Sequence, residues 1–571
     1  MSYLLAFLRW LIRHLPAFLI RFFARLLFSK SWRRFQEAVK DPREAQRKQL
    51  MAIVERNRFT EFGREHGFDA IESIEDFQRA VPIRGWEEFE PYVEPMVNGK
   101  SNVLVADQIP YFGLSSGTTG KPKYVAMPDS YIEEFDVPRR VWKRSVAVSF
   151  PGFARGETLL MSSPKIEGRT PGGTPYGSIY RRLDEASSRI AQETDPFPRA
   201  IYLLDDFDSK YYCLLRLASE MEISLISAVN PSTIILFCKK LNEFAERLIL
   251  DVEQGALSED LEIPDSLRRR MLKRCKPNPR RARRLRRLRE KQGELRPVDV
   301  WPKLCGILTW KGGSAPFYLE QFPRWFDDTP VMDQGFCATE GSFNLPLSPE
   351  GSAGPVAVLG HFLEFVPVDS RQGPRDDTLL ADELEVGQEY FIIITGSHGL
   401  YRYDINDVVR CTGYLEKTAM IEFRHKGGNM LSLTGEKVAE SHVVEAFSAA
   451  AGRLGVELAG FAVTQDLDRD PPGYRFSVEP AGELPEARRA ELLAVCEEEL
   501  RKVNIEYEAK RDSMRLGPPE LLVLGAGSFE GFRARRVADG APDAHVKPPH
   551  LQRDPAFPDQ FEVVARLIAG G

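Results

Sequence analysis

Residues 111–123, YFGLSSGTTGKPK, constrain this chain more than any other stretch. Four hydroxyl side chains, Ser115, Ser116, Thr118 and Thr119, surround Gly117, and Gly120, Lys121 and Lys123 close the run. Glycines let backbone N–H groups approach an anion, hydroxyls add donors and lysines neutralise charge, so the loop suits a polyphosphate. It is not a P-loop, because that pattern needs glycine where Ser115 stands and Ser or Thr where Pro122 follows Lys121. The apolar residues on either side read as flanking strands.

The surroundings predict an α/β protein. Spacing of apolar residues favours helices over 41–90, 209–220 and 231–254, and strands at 157–161, 200–204, 304–309, 356–366 and 389–395. After residue 421 a smaller α+β unit is expected, with helices at 434–450 and 485–503 and strands at 459–463 and 475–478. At 571 residues the chain is long enough for a large core and a further domain. The boundaries read as an apolar and basic helical segment over 1–33, a large domain with mixed sheets and flanking helices over 34–421, and a small domain over 422–571.

Composition excludes several classes. A net charge of −6 gives no whole-protein attraction to nucleic acid. The basic run at 268–291 has leucines at helical spacing and no interleaved aromatics, and reads as a solvated helix. Seven scattered cysteines have neither disulfide rhythm nor metal-ligand spacing, which points to a reducing cytoplasm and no structural zinc. Residues 1–28 are rich in Leu, Phe, Ile and Trp, but Arg9, Arg13, Arg21 and Arg25 interrupt every apolar run, Pro16 breaks the helix and no small-residue cleavage site follows. Two readings stand: a helical hairpin packed on the protein, or a basic amphipathic segment in peripheral contact with a membrane.

The run from Ser115 to Lys123 resembles the phosphate loop of the adenylate-forming superfamily of acyl-CoA synthetases, peptide-synthetase adenylation domains and luciferases. TPGG at 170–173, GFCATEG at 335–341 and LYRYDINDVV at 400–409 narrow the resemblance, from about Arg34 onward, to the Gretchen Hagen, or auxin-responsive promoter, family of acyl acid amido synthetases. That resemblance implies a large adenylating domain joined by a hinge to the smaller one, and it implies roles. Ser115, Ser116, Gly117, Thr118, Thr119, Gly120 and Lys123 would bind ATP phosphates. Glu340 would hold Mg²⁺, which takes few carboxylates beside phosphate oxygens and water. Thr339 would donate to the α-phosphate and Phe336 would stack on adenine, with Gly313 and Ser314 of TWKGGSAP framing the base.

Asp407 would accept from both ribose hydroxyls. The residue before it, glycine in the family, is Asn406 here, and asparagine tolerates the left-handed conformation. Arg424 would lie near the phosphates, ahead of a pivot around residues 426–428 whose two glycines supply soft dihedrals. Lys547, in VKPPHLQRD, would be the second cation at the α-phosphate. Cys337, Ala338 and Asp404 depart from the family pattern.

The expected reaction activates a small carboxylic acid as acyl-AMP and passes the acyl group to an amino-acid amine. Two alternatives stay open: coenzyme A as acceptor, and a nucleotide-binding module without turnover. No residue announces itself as the base for the incoming amine.

Overall fold

In the computed structural model, strand β6 (Ile223–Ala228) is buried at every position. The structure describes residues 13–568 apart from 117–121, 162–165, 186–195, 314, 370–377, 428–429, 432, 434–435, 437, 470, 513–515 and 539–549. A run buried on both faces is what a parallel sheet beneath helices requires. β6 lies inside a sheet of order β3-β6-β7-β8, with β3 (Glu157–Met161), β7 (Gly306–Leu308) and β8 (Val331–Met332). All three pairings are parallel, so the loops after β6, β7 and β8 leave at one edge, where open α/β sheets take their ligands.

A second sheet has the order β2-β1-β5-β4: β1 (Phe112–Ser116), β2 (Pro122–Ala126), β4 (Ile166–Arg169) and β5 (Pro175–Gly177). A short hairpin joins β9 (Cys337–Ala338) to β10 (Gly341–Ser342). A five-stranded sheet has the order β11-β15-β14-β13-β12: β11 (Gly354–Pro355), β12 (Phe362–Pro367), β13 (Glu389–Thr395), β14 (Tyr403–Leu415) and β15 (Thr418–Lys426).

The LYRYD part of the third motif is largely core: Leu400, Tyr401, Arg402 and Tyr403 are all buried. Arg402 sits at φ +48° and pairs with Glu364 at 3.1 Å. Its Nη1 donates to the carbonyls of Gln78 and Val81 at 2.8 and 2.9 Å, and its Nη2 to the Thr378 hydroxyl at 3.3 Å. A guanidinium can be buried only when its donors are matched in this way.

Pro16 precedes helix α1 (Ala17–Leu27), and α2 (Ser29–Ala38) follows directly; both pack on α3 (Asp129–Ser149). The basic run forms α4 (Asp265–Leu272) and α5 (Pro279–Gln292), closed by Gly293 at φ +80°. No helix among the described residues is long and apolar enough to cross a membrane.

Two compact units are resolved: residues 1–405 with 409–423, and 406–408 with 424–571. The N-terminal helices therefore belong to the first unit, and Asn406, Asp407 and Val408 to the second. In the second unit a sheet of order β21-β18-β19-β20-β22 carries α6 (Glu440–Leu454) and α7 (Glu486–Val503), which pack on one another. Its strands are β18 (Leu458–Asp466), β19 (Gly473–Pro480), β20 (Glu520–Leu524), β21 (Leu551–Gln552) and β22 (Val563–Ile568). A small ladder pairs β16 (Met430–Leu431) with β17 (Val438–Ala439). Phe447 stacks on Phe461 at 4.8 Å in the core between sheet and helix.

Three local expectations fail for identifiable reasons. Residues 200–204, read as a strand, lie in and after a four-residue helix, Arg199–Tyr202, that starts after Pro198; a short apolar run does not reveal its period. The strand expected from 356 begins only at Phe362, because the amide of Gly360 turns back to the carbonyl of Ala357 at 2.8 Å. The helix expected from 434 begins at Glu440.

Candidate active site

The phosphate-binding candidate is a hairpin whose strands end where the loop begins. β1 and β2 pair antiparallel, with Ser115 opposite Lys123 and Ser116 opposite Pro122. Gly117, Thr118, Thr119 and Gly120 lie outside the described residues, as do Ser314 and Lys547, and for Ser115 and Ser116 only the backbone is described. Lys123 donates to the Tyr403 hydroxyl at 3.4 Å, and its ammonium lies 5.5 Å from the centre of the Trp86 ring. This lysine therefore rests on an aromatic platform at the strand end.

The β9–β10 hairpin brings Thr339 against β1, with Glu340 beside it in the turn. Its tip is tight, with Ala338 paired to Gly341, so those two residues make the turn. The Thr339 hydroxyl donates to the carbonyl of Leu114 at 3.2 Å, one residue before Ser115. The Thr339 carbonyl accepts the Tyr131 hydroxyl at 2.6 Å, and the Glu340 carbonyl meets His398 Nε2 at 3.0 Å. Glycine is needed beneath them: a Cβ on Gly113 would lie 2.8 Å from Thr339 Cγ2 and 2.0 Å from Met127 Cε. The sequence motifs at 111–116 and 335–341 are thus one packed unit.

A buried polar network supports the hairpin from behind, and sequence reasoning did not find it. Glu134 accepts from the Ser397 amide and hydroxyl and pairs with His361 Nδ1 at 2.9 Å. Burial and the neighbouring His361 hold His398 down to about 3, so it is neutral. The Leu400 amide donates to His398 Nδ1 at 3.0 Å, which leaves Nε2 as the protonated nitrogen that donates to the Glu340 carbonyl. These histidines stand alone in the sequence, so only the fold reveals their grouping.

The loops after β7 and β8 are tied together by Asp333, also missed. Its carboxylate accepts the Lys311 amide at 2.7 Å and the Gly335 amide at 2.6 Å. Burial pushes Asp333 up to about 7 against the opposing pull of these two donors. Gly313 adopts φ +58°, and a Cβ there would lie 3.1 Å from the Phe423 ring.

Phe336, expected to stack on adenine, lies among aromatic rings. Its ring stacks on Phe343 at 4.5 Å and meets Phe423 at 4.8 Å, leaving it 5% exposed. Trp310 and Phe423, both half-buried and 5.6 Å apart, present the accessible aromatic surface beside Gly313. No pattern distinguishes them in the sequence from core aromatics.

Cys337 belongs to the same hairpin, and desolvation by its surroundings pushes its thiol up to about 11. Ser342 lies 3.5 Å from its sulfur, and the charge of Arg139 on α3 acts on both Cys337 and Tyr180.

In the second unit Asn406 takes φ +60°, the left-handed conformation expected of a glycine substitute. Its carbonyl accepts the Gly427 amide at 2.6 Å, and its side-chain amide donates to the Gly427 carbonyl. Asp407 is buried and pairs with Lys426 at 3.2 Å, and Arg424 is half-buried on β15. Asp404 donates its amide to the Arg84 carbonyl at 2.9 Å.

No group of three or more His, Cys, Asp or Glu residues able to hold a metal occurs among the described residues. A single carboxylate at Glu340, in the turn packed on the strand before the candidate phosphate loop, would suit an Mg²⁺ that arrives on phosphate oxygens. The residues fit the ion in that form.

Comparisons with known proteins identify the family and the fold. Models of the GH3 family N-terminal, central and C-terminal domains match residues 31–331, 355–426 and 441–556. The chain is 28% identical over 545 residues to jasmonoyl–L-amino acid synthetase JAR6 of Nicotiana attenuata, covering 90% of this chain and 92% of the relative. It is 26% identical to indole-3-acetic acid-amido synthetase GH3.8 of Oryza sativa subsp. indica, covering 92% and 90%. Among solved structures, GH3.15 acyl acid amido synthetase superposes with a TM-score of 0.83 at 19% identity, over 94% of this chain and 97% of that one. A 2-hydroxyisobutyryl-CoA ligase superposes more distantly, with a TM-score of 0.51 at 11% identity over 91% and 90%. The fold is that of adenylate-forming ligases, and the chain belongs to the GH3 family.

Proposed function

We propose that this ligase converts a small carboxylic acid and ATP to an acyl-AMP and transfers the acyl group to the amine of an amino acid. The observation that carries the proposal is the packing of Thr339 onto β1, the strand that leads into the phosphate-loop sequence. That packing sets the turn bearing Thr339 and Glu340 next to the strand from which a run rich in phosphate-binding residue types departs. The relatives named as amino-acid synthetases align over about nine-tenths of the chain, which favours an amine over coenzyme A as acceptor.

In this reading an oxygen of the substrate carboxylate attacks the α-phosphate in line and pyrophosphate leaves. Loop amides, hydroxyls and Lys123 bind the phosphates, and Lys547 and Arg424 neutralise charge at the α-phosphate. Glu340 would hold Mg²⁺, which supplies charge neutralisation on the phosphate oxygens. Trp310, Phe423 and Gly313 receive the base and Asp407 the ribose. The surroundings of Cys337 and Tyr180, on which the charge of Arg139 acts, would take the acid, with Arg139 supplying the cation that draws a carboxylate in. The amine then attacks the acyl carbon, an amide forms and AMP leaves. A reducing cytoplasm is the proposed location, consistent with seven free cysteines, five of them buried.

The test is acid-dependent exchange of labelled pyrophosphate into ATP, across aryl, indole and fatty acids, with no acceptor present. Exchange that needs an acid and is abolished in Glu340→Ala supports adenylation. ATP binding without exchange for any acid would instead mark a nucleotide-binding module.

A further inference from the structure

We infer that α1 and α5 together form a docking face for an anionic lipid bilayer, at the end of the parallel sheet opposite the nucleotide loops. On α1 the seam toward the protein is small: Ile20 and Ala24 are buried. Outward, Phe18, Phe22, Phe23, Leu26 and Leu27 are 66, 57, 51, 60 and 77% exposed. At about 100° per residue these five share one wide arc, bordered on one side by Arg21 and Arg25. Single exposed apolar residues are ordinary, but five large ones on one face of one helix mark an interaction surface.

The helix is held in place while presenting this face. Arg21 donates to the carbonyl of Val148 at 3.1 Å and Arg13 pairs with Glu157. In α2, Phe35 is buried and the guanidinium of Arg144 lies 3.8 Å from the Trp32 ring centre.

The charge complement comes from α5. Ala282 and Leu285 face the core, while Arg280, Arg283, Arg284, Arg287 and Lys291 form an exposed stripe on the opposite side. The neighbouring arginines on the other faces are tied down: Arg286 pairs with Glu253, Arg289 with Glu246, and Arg281 bonds the carbonyls of Ser219 and Val300. In the stripe, Arg283 and Arg284 meet the carbonyls of Pro279 and Asp299, at 3.3 and 3.4 Å, and keep their charge exposed. A chain of net charge −6 has thus collected an exposed cationic stripe on one helix.

Both elements meet the same edge of the sheet. Arg13 reaches Glu157, the first residue of β3, and Arg281 reaches Ser219, shortly before β6 begins at Ile223. The two strand starts are joined by the bond from the Glu157 amide to the Glu222 carbonyl at 2.7 Å. The loops with Trp310, Asp333 and Phe336 leave the other edge, so a bilayer at the first leaves the site open. An apolar arc flanked by arginines is the pattern of a helix lying in a lipid interface, and a nucleic acid would have no use for it.

The experiment is sedimentation of the full chain with phosphatidylcholine vesicles, with and without about 30 mol% phosphatidylglycerol. Expected is at least about tenfold stronger binding to the anionic vesicles, weakening with salt. The triple substitution Phe18→Ser, Phe22→Ser, Leu26→Ser should lower it at least about tenfold, and Arg280→Glu, Arg284→Glu, Arg287→Glu several-fold, with ATP–pyrophosphate exchange unchanged. Hydrogen exchange on the unaltered protein gives a second reading that needs no variant: vesicles should protect residues 17–27 and 279–292. The inference is overturned by absence of vesicle binding, by equal binding of variants and parent, by protection elsewhere, or by a protein dimer that the Phe substitutions dissociate.

Discussion

Replacing Gly113 with alanine tests whether β1 and the Thr339–Glu340 turn work as one unit. The new Cβ would lie 2.0 Å from Met127 Cε, 3.2 Å from Met127 Sδ and 2.8 Å from Thr339 Cγ2. Met127 is fully buried, so its flexible end has little room to withdraw. Thr339 is held twice, through its hydroxyl to Leu114 and its carbonyl to Tyr131. Overpacking of this kind costs about 1–3 kcal/mol, a fall in melting midpoint of about 2–6 °C for a large domain. Turnover should suffer more, since moving a positioning group by about 1 Å costs up to about a hundredfold. The assay pairs a thermal melt with acid-dependent pyrophosphate release. Thr339→Ser removes the methyl that meets the new Cβ and keeps the hydroxyl, so Gly113→Ala combined with Thr339→Ser should recover part of the lost turnover, the contact with Met127 remaining. Parental turnover in Gly113→Ala, or no recovery in the pair, would refute the coupling.

Asp333→Ala leaves the amides of Lys311 and Gly335 buried without their acceptor, and at about 1–3 kcal/mol each the loss is about 2–6 kcal/mol, read as a lowered melting midpoint. Asp333→Asn keeps one acceptor oxygen and should lose about half as much. His398 is held near 3 in the folded chain against an ordinary value of 6.5, so the unfolded chain binds the extra proton between these limits. Stability that is full above pH 6.5 therefore falls as pH drops toward 3, by at most about 1.4 kcal/mol per unit from this residue. In His398→Gln the acid slope of the unfolding free energy should be shallower by about that amount; an identical slope would contradict the neutral assignment. Arg139→Ala should raise KM for the acid about tenfold while KM for ATP stays put, measured by steady-state pyrophosphate release.

Much of the site was legible because its chemistry is local in sequence. The phosphate loop, the CATE turn and the aspartate after Asn406 each carry donors or carboxylates at fixed short spacing, and Asn406 shows at φ +60° the conformation its position demanded. What was not legible depends on long-range packing. Glu134 on α3 is 227 residues from His361 and further still from His398, and their grouping exists only once α3 packs against those two segments. Asp333 sits in an unremarkable MDQG and gains meaning only because β7 and β8 are neighbours. The aromatic cluster of Phe336 with Phe343, Phe423 and Trp310 was not legible either, because those rings come from separate segments of the chain. Fold class was readable from the alternation of buried strands and amphipathic helices, while the short run at 200–204 carried no period to read.

The central claim, amide formation through an acyl-AMP, is met most directly by a single-turnover product analysis. The full chain is mixed with ATP, the acid that supports pyrophosphate exchange, all twenty amino acids and coenzyme A, and the products are weighed by mass spectrometry. The account predicts an N-acyl amino acid and AMP in equal amounts, with both absent in Glu340→Ala. An acyl-CoA thioester in place of the amide, or ADP in place of AMP, would contradict it.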